Sequence, residues 1–103
     1  MRIIAGKLRG STLYLCKNKN IRPLKDLTRE SVFNLLTHSK KIAFQLEKSN
    51  VLDLYAGTGS FGLECLSRQA NYVCFIEKEK AAIEILEKNI EKLKLKNKTK
   101  IFS

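Results

Sequence analysis

The sequence contains few of the residues that build metal centres or disulfide frameworks. Its only histidine is His38, and its three cysteines, Cys16, Cys65 and Cys74, form no C-x-x-C pair. We therefore expect no metal site, because structural zinc needs cysteine and histidine ligands at short, defined spacings. An odd number of scattered cysteines is instead typical of reduced thiols in a cytoplasmic protein, and we predict that location.

Membrane and secretion signals are also missing from the pattern. No apolar run approaches the ~20 residues of a transmembrane helix, and the opening MRIIAGKLRG lacks the apolar core of a secretory signal. At 103 residues the chain corresponds to one small domain, and 44% of its residues are apolar. That apolar fraction is enough to form a core and argues against disorder of the whole chain.

Acidic residues are scarce, and the positive charge that results is unevenly distributed. The formal net charge is +10, of which +8 falls on residues 1–48 and +2 on residues 49–103. A cluster of Lys and Arg favours a polyanionic partner, most simply nucleic acid. The alternative is compositional: fifteen of the twenty cations are Lys, and a codon bias can raise lysine content without selection for binding.

The basic N-terminal part has the pattern of a hairpin followed by a helix. Two short β-like runs, residues 2–5 and 12–16, flank a connection that contains two glycines and predict a hairpin. Asp26 or Thr28 can then cap a helix that runs to about residue 40. The predicted apolar face of this helix contains Val32, Leu35 and Leu36, with Phe33 at its flank.

Residues 49–103 alternate between apolar runs and helical patterns. Residues 51–55 and 72–76 are nearly continuous apolar runs, as expected for strands buried on both faces. Residues 60–68 and 79–95 have helical patterns, and a third strand is predicted at residues 99–102. This order is typical of a parallel βαβαβ unit with right-handed crossovers, so the predicted fold class is α/β. The apolar stripe of the helix predicted at residues 79–95 contains Ala82, Leu86, Ile90 and Leu93.

The stretch LDLYAGTGSFG, residues 52–62, places a G-x-G-x-x-G pattern directly after the first predicted strand. Gly57, Gly59 and Gly62 let the backbone turn tightly and let a ligand approach the N-terminus of the following helix. Glu77 closes the second strand, where a carboxylate can accept both hydroxyls of a ribose. These features fit a nicotinamide cofactor and an adenosyl cofactor equally well. A Walker-type phosphate loop is excluded, because no G-x-x-x-x-G-K-[ST] occurs.

The charge of Asp53 discriminates between a nicotinamide and an adenosyl cofactor. Asp53 lies near the carboxyl end of the first strand, so its carboxylate is expected to face the crevice beside the glycine turn. A pyrophosphate in that place would be repelled at a cost on the order of several kcal/mol. S-adenosylmethionine reverses the sign of the interaction, because its methionyl part carries an ammonium and a sulfonium. In the alternative interpretation, Asp53 only hydrogen-bonds N–H groups of the loop.

Two aromatic residues, Tyr55 and Phe61, flank the glycines. Either ring could stack on an adenine or another base, but such aromatics more often pack against the loop itself. We therefore predict that Tyr55 and Phe61 are packing residues.

Four segments of the chain resemble the bacterial methyltransferases that modify a guanine amino group of small-subunit (16S) ribosomal RNA. They are MRIIAGKLRG, RPLKDLTRESVFNLL, VLDLYAGTGSFGLECLSRQA and VCFIEKEKAAIEILEKN, and they cover nearly all of the sequence in the same order and spacing. The first two segments are more specific than the glycine loop, which many methyltransferases share. The resemblance implies a partial Rossmann-like sheet and S-adenosylmethionine as the cofactor.

The resemblance also implies a division of the chain and roles for eight residues. Residues 1–48 would be a basic N-terminal extension, and residues 49–103 the first half of the S-adenosylmethionine-binding domain, truncated in its third strand. The cofactor would be bound by Asp53, Gly57, Gly59 and Glu77. The 16S rRNA or the small ribosomal subunit would be contacted by Lys7, Arg9, Arg22 and Arg29.

One motif that the resemblance predicts is missing. The family places Asp/Asn-Pro-Pro-Tyr/Phe after a fourth strand to position the target amine, but the only proline here is Pro23. We therefore expect no catalytic residue in these 103 residues, and a chain that is inactive alone. It would be an inactive fragment, or one half of a split enzyme completed by a second polypeptide. Without a fourth strand, residues 51–55 would also form an exposed apolar edge that favours self-pairing.

Three other functions remain open at this point. The first is an adenine-N6 methyltransferase acting on DNA or RNA, which shares the catalytic motifs. The second is a non-catalytic RNA-binding module in which only the basic N-terminal part functions. The third is a nicotinamide-binding oxidoreductase fragment, which the charge of Asp53 disfavours.

Overall fold

The computed structural model describes residues 1–16, 26–38 and 46–103. The prediction for Arg22 lies outside these residues. In chain order the regular elements are α1 (Asp26–His38), β1 (Asn50–Leu54), α2 (Ser60–Ser67), β2 (Tyr72–Ile76), α3 (Lys80–Lys92), a short 3-10 turn (Lys96–Lys98) and β3 (Thr99–Phe102). No helix of this part of the chain is both long and apolar enough to cross a bilayer.

The three strands form one parallel sheet in the order β1-β2-β3. Asn50 lies opposite Tyr72 at the start of the first pair, and Val73 lies opposite Thr99 at the start of the second. Each connection between paired strands contains a helix, since parallel strands need a crossover to return to the same end of the sheet. This arrangement confirms the predicted α/β class and its partial Rossmann-like sheet.

Helix α3 follows the predicted apolar stripe closely. The four stripe residues are between 0% and 9% exposed. The helix is shorter than predicted at both ends: Glu79 is the N-cap residue, and Leu93 is the C-cap. Lys94 then adopts a left-handed conformation with φ of 58°, which turns the chain away from the helix axis.

Helices α2 and α3 cover only one face of the sheet. Val73 and Phe75 of β2 are fully buried beneath them, and the ring of Phe75 lies so close to Gly62 of α2 that a Cβ there would overlap it. On the opposite face Leu52 is 61% and Leu54 58% exposed. The prediction that residues 51–55 are buried on both faces is therefore wrong for the described part of the chain, because no described helix covers that second face.

Helix α1 packs against α2 with a different face from the one predicted. Phe33 is fully buried and stacks on Phe61 at a centroid distance of 5.0 Å, whereas Leu35 is 57% exposed. The Arg68 guanidinium lies 4.4 Å from the centroid of the Phe33 ring. Residues from both predicted parts of the chain contribute to one hydrophobic cluster. The boundary near residue 48 stays a prediction.

The predicted N-terminal hairpin forms a short antiparallel pairing, with a bridge between Arg2 and Thr12 and a backbone hydrogen bond from the N–H of Ile3 to the Ser11 carbonyl. Helix α2 helps to hold this segment in place, through the buried carboxylate of Glu64. Glu64 accepts hydrogen bonds from the N–H groups of Ile4, at 2.8 Å, and Ala5, at 3.0 Å. It also accepts one from Nε of Arg68, at 2.9 Å. The N-terminal segment is therefore attached by polar contacts as well as by its buried Ile3 and Leu13.

We expect replacement of Glu64 by Ala to destabilise the fold by about 3–5 kcal/mol, because the change leaves buried cationic and N–H partners without an acceptor. Urea unfolding followed by circular dichroism measures this loss. The matched control is Glu84→Ala on the exposed side of α3, for which we expect less than about 0.5 kcal/mol. Equal effects of the two substitutions would contradict the role assigned to Glu64.

Candidate functional site

The candidate site is the loop between β1 and α2, residues 55–59. Its backbone turns through left-handed conformations at Tyr55, Gly57 and Gly59, with φ of 58°, 58° and 92°. At Gly59 a Cβ would also overlap the end of the Leu86 side chain of α3, which would have to move. Glycine is therefore needed here chiefly for the left-handed conformation.

Asp53 lies beneath this loop and caps helix α2. Its Oδ2 accepts a hydrogen bond from the N–H of Gly62 at 3.1 Å. The N-cap residue of α2 is Gly59, which has no side chain to satisfy the first N–H groups of the helix. Asp53 supplies that acceptor from the neighbouring strand. Its carboxylate thus points to the first turn of α2, directly after the loop, and makes a backbone hydrogen bond of the kind that the alternative interpretation expects.

The surroundings of Asp53 raise the pKa of its carboxyl. Burial raises the pKa of its carboxyl from the ordinary 3.8 to about 6, an effect that the Gly62 N–H opposes and the negative charge of Glu77 reinforces. Asp53 is 8% exposed, and at neutral pH it still carries its charge. An asparagine could accept the same hydrogen bond without charge. The negative charge is therefore not needed for capping.

Glu77 holds the same loop from the end of β2. Its Oε1 accepts the N–H of Gly57 at 2.8 Å, and its Oε2 accepts the N–H of Glu79 at 2.9 Å. Each carboxylate oxygen has a second lone pair. Glu77 can therefore keep both backbone contacts and still accept hydrogen bonds from ligand hydroxyls. The structure brings Asp53, Gly57, Gly59 and Glu77 together at one end of the sheet, and their role in binding a cofactor stays a prediction.

The two aromatic residues beside the glycines behave differently. Phe61 packs against Phe33, in agreement with the prediction. Tyr55 is 90% exposed, so the prediction that it packs the loop is wrong. Its left-handed backbone follows the last residue of β1 directly and points the ring to solvent.

The predicted RNA-facing residues divide into two groups. The two paired N-terminal runs, residues 2–5 and 12–16, are called the N-terminal arms. Lys7 and Arg9 are exposed on the connection between these arms, and Arg2 is exposed beside them. Arg29 is fully buried. It donates hydrogen bonds to the carbonyls of Arg2 and of Ser60, and its Nη1 lies 4.0 Å from Oε1 of Glu64. The assignment of Arg29 to the RNA-facing surface is therefore corrected: it joins α1 to α2 and to the N-terminal segment.

Sequence reasoning missed two buried polar residues that organise the site. Glu64 is the only charged residue within the apolar helix α2, and a lone acid in such a helix indicates a buried, paired carboxylate. Asn89 lies three residues after Leu86, on the apolar face of α3. Both are 0% exposed. The position of each on an otherwise apolar face was the available signal.

Comparison with known proteins assigns the chain to a family. The sequence model of the family described as Conserved hypothetical protein 95 matches residues 1–103. The chain belongs to this family. The family assignment agrees with the resemblance noted in the sequence, because relatives in two bacteria are named Ribosomal RNA small subunit methyltransferase D.

The relatives are longer than this chain. The Haemophilus influenzae relative is 40% identical over 94 residues, which are 91% of this chain and 46% of the relative. The relative from Buchnera aphidicola subsp. Baizongia pistaciae is 36% identical over 97 residues, 94% of this chain and 47% of the relative. A solved Escherichia coli structure described as "Putative methyltransferase yhhF" superposes with a TM-score of 0.82 at 33% identity, covering 98% of this chain and 50% of that one. The chain thus spans about half the length of these relatives.

Asp53→Asn tests whether this family member keeps a charge that its fold does not need. Because the pKa is raised in the folded state, the contribution of Asp53 to stability falls as pH rises from about 4 through about 6. The variant should therefore gain up to roughly 3 kcal/mol relative to the native chain between pH 4 and pH 7. Urea unfolding at both pH values measures the difference.

The control for this prediction is Glu84→Gln, an exposed acid on α3 that should show no such pH-dependent gain. A native chain whose stability advantage over Asp53→Asn grows towards pH 7 would contradict the assignment of a buried, costly charge.

Proposed function

We propose that this chain provides the cofactor-binding half of an S-adenosylmethionine-dependent methyltransferase. The observation that carries the proposal is the pair of carboxylates, Asp53 and Glu77, that hold the glycine loop from the ends of two adjacent parallel strands. Ligands of open α/β sheets bind in the crevice at this end of the strands. The methyltransferase names of the relatives support the same conclusion.

The residues of the loop fit an adenosyl cofactor in charge and in shape. Asp53 would attract the cationic methionyl part, directly or through the loop that it orients. Glu77 would accept the ribose hydroxyls with the lone pairs that its backbone contacts leave free. Gly57 and Gly59 would let the ligand approach the backbone. When bound, the cofactor supplies an electrophilic methyl group to a nucleophilic amine.

A nicotinamide cofactor fits the same loop less well. Its pyrophosphate would lie over the turn, within the field of both carboxylates, and Asp53 is ionised at neutral pH. Two like charges at such short range disfavour binding unless one of them is protonated or screened. An oxidoreductase fragment is therefore the weaker proposal.

We propose 16S rRNA in the small subunit as the substrate. The relatives are named as ribosomal RNA small subunit methyltransferases, and the net charge of +8 on residues 1–48 favours a polyanion. Exposed Lys7, Arg9 and Arg2 would contact phosphates. The resemblance specifies a guanine amino group as the target, and an adenine amino group is the alternative. A protein acting on ribosomes would work in the cytoplasm, which stays a prediction.

The proposal also assigns catalysis to residues outside these 103. The sequence carries no Asp/Asn-Pro-Pro-Tyr/Phe, so nothing in it would hold the target amine in line with the methyl group. Among the described residues, β1 pairs with a strand on one side only, and Leu52 and Leu54 beside it are exposed, so a polypeptide that supplies this motif could pack there. The proposed site would be the same whether the two halves belong to one chain or to two. A non-catalytic RNA-binding module remains the alternative.

Two proteins test the proposal: the 103-residue chain, and a fusion of this chain to the C-terminal half of the Haemophilus influenzae relative. Each is mixed with radiolabelled S-adenosylmethionine and 30S subunits. We expect methyl transfer to 16S rRNA with the fusion and none above background with the chain alone. The matched control is the fusion carrying Asp53→Asn, which keeps an acceptor for the Gly62 N–H and removes the charge, and we expect it to lose at least about tenfold in activity, equivalent to 1.4 kcal/mol.

Two results would count against the proposal. Robust transfer by the chain alone would refute the assignment of catalysis to another segment. A fusion that binds S-adenosylhomocysteine but leaves 16S rRNA unmethylated would refute the proposed substrate.

A further inference from the structure

Asn89 of α3 connects two parts of the chain that are far apart in sequence. Its Oδ1 accepts a hydrogen bond from the N–H of Tyr14 at 2.6 Å. Its Nδ2 donates to the carbonyl of Tyr14 at 3.1 Å and to the carbonyl of Thr58 at 3.0 Å. Both hydrogens of the amide are therefore used, and the side chain is 0% exposed. One buried amide thus contacts the N-terminal segment and the glycine loop together.

Asn89 contacts the glycine loop at Thr58, between the two glycines that turn the backbone. Thr58 lies between Gly57 and Gly59 and is 4% exposed. Its carbonyl is held by Asn89, while the next N–H, of Gly59, donates to the Ala56 carbonyl at 3.0 Å. Asp53 and Glu77 hold N–H groups at either side of this point. Asn89 supplies the donor that fixes the carbonyl between them, which neither carboxylate can do.

The hydrogen bonds between Asn89 and Tyr14 attach the second N-terminal arm, residues 12–16, to α3. This arm follows the connection that carries the basic residues. Tyr14 follows Leu13, whose N–H donates to the Met1 carbonyl at 2.8 Å and so joins the two N-terminal arms. Lys7 and Arg9 lie on the connection between those arms. Lys92, one turn further along α3, donates to the Thr12 carbonyl at 2.8 Å. Helix α3 therefore holds residues 12–14 at two positions one turn apart, Asn89 and Lys92.

We propose that Asn89 is a positioning residue that keeps the basic N-terminal segment and the glycine loop in a fixed relative placement. The inference rests on the proposed function, because the two surfaces matter together only if one binds RNA and the other the cofactor. A methyl group can reach its target only when both ligands are held at a defined separation, and small displacements cost rate. Asn89 is the side chain that contacts both segments, while Glu64 and Lys92 add further contacts to the N-terminal segment alone.

The alternative is an ordinary buried polar residue that stabilises the whole fold. Buried amides left without partners are destabilising wherever they occur. The two roles differ in where the damage appears. A general loss of stability affects all segments in proportion, whereas loss of a positioning contact loosens the N-terminal arm and the glycine loop at the same time and leaves the sheet unaffected.

The experiment compares Asn89→Leu with Leu93→Ala in the 103-residue chain. Leu93 is the buried C-cap residue of α3, four residues after Asn89, and its truncation lowers stability without removing a side-chain hydrogen bond. The two variants are studied at temperatures equally far below their own Tm. The measurements are amide hydrogen exchange at Leu13, Gly59 and Phe75, and affinities for S-adenosylhomocysteine and for deproteinised 16S rRNA.

With Asn89→Leu we expect exchange at Leu13 and Gly59 to accelerate together by about tenfold or more, and exchange at Phe75 of β2 to stay within about twofold. Both affinities should fall by about tenfold, the size of effect expected when buried hydrogen bonds are lost. Leu93→Ala should change each affinity by less than about twofold. If Asn89→Leu does not fold, Asn89→Ser, in which water can replace part of the amide, is measured instead.

Two results would overturn the inference: the same pattern in Leu93→Ala, or a change at only one of the two segments in Asn89→Leu. Failure of the proposed function is distinguishable from these. If the native chain binds neither ligand, the proposed function fails, and the exchange pattern alone decides the role of Asn89.

Discussion

The structure depends on how the backbone of the glycine loop is held. Parallel strands β1 and β2 end side by side, and each contributes one carboxylate to the N–H groups beyond it, Asp53 to Gly62 and Glu77 to Gly57. The Gly62 N–H lies in the first turn of α2, where the helix itself supplies no carbonyl acceptor. The same two acids bring two carboxyl groups to this end of the sheet. The placement of the backbone and the charge of the site therefore depend on the same side chains.

This arrangement keeps a charge at a cost to stability. Burial raises the pKa of Asp53 to about 6, so ionisation at neutral pH opposes folding, and a neutral acceptor could cap α2 equally well. Titratable groups with a strongly shifted pKa cluster at functional sites. Glu64 is a contrasting case, because its carboxylate is surrounded by N–H groups and two guanidinium groups and serves the attachment of the N-terminal segment.

The sequence was most informative where local pattern decides the structure. The stripe of α3 and the loop around Asp53 follow from spacing alone, because period and turn chemistry act between near neighbours. Predictions were wrong where a distant partner decides. Arg29 is drawn inwards by Glu64 and two carbonyls of other segments, and Leu54 is exposed because no described helix covers its face. Asn89 was missed since its partners lie 75 and 31 residues away.

The central claim is that the carboxylates at the ends of β1 and β2 select a cationic adenosyl compound over a pyrophosphate. The most direct measurement is calorimetric titration of the 103-residue chain with S-adenosylmethionine and with NADH in the same buffer at neutral pH. We predict measurable binding of S-adenosylmethionine and at least about tenfold weaker binding of NADH, a difference of 1.4 kcal/mol or more. Tight binding of NADH with no binding of S-adenosylmethionine would contradict the claim.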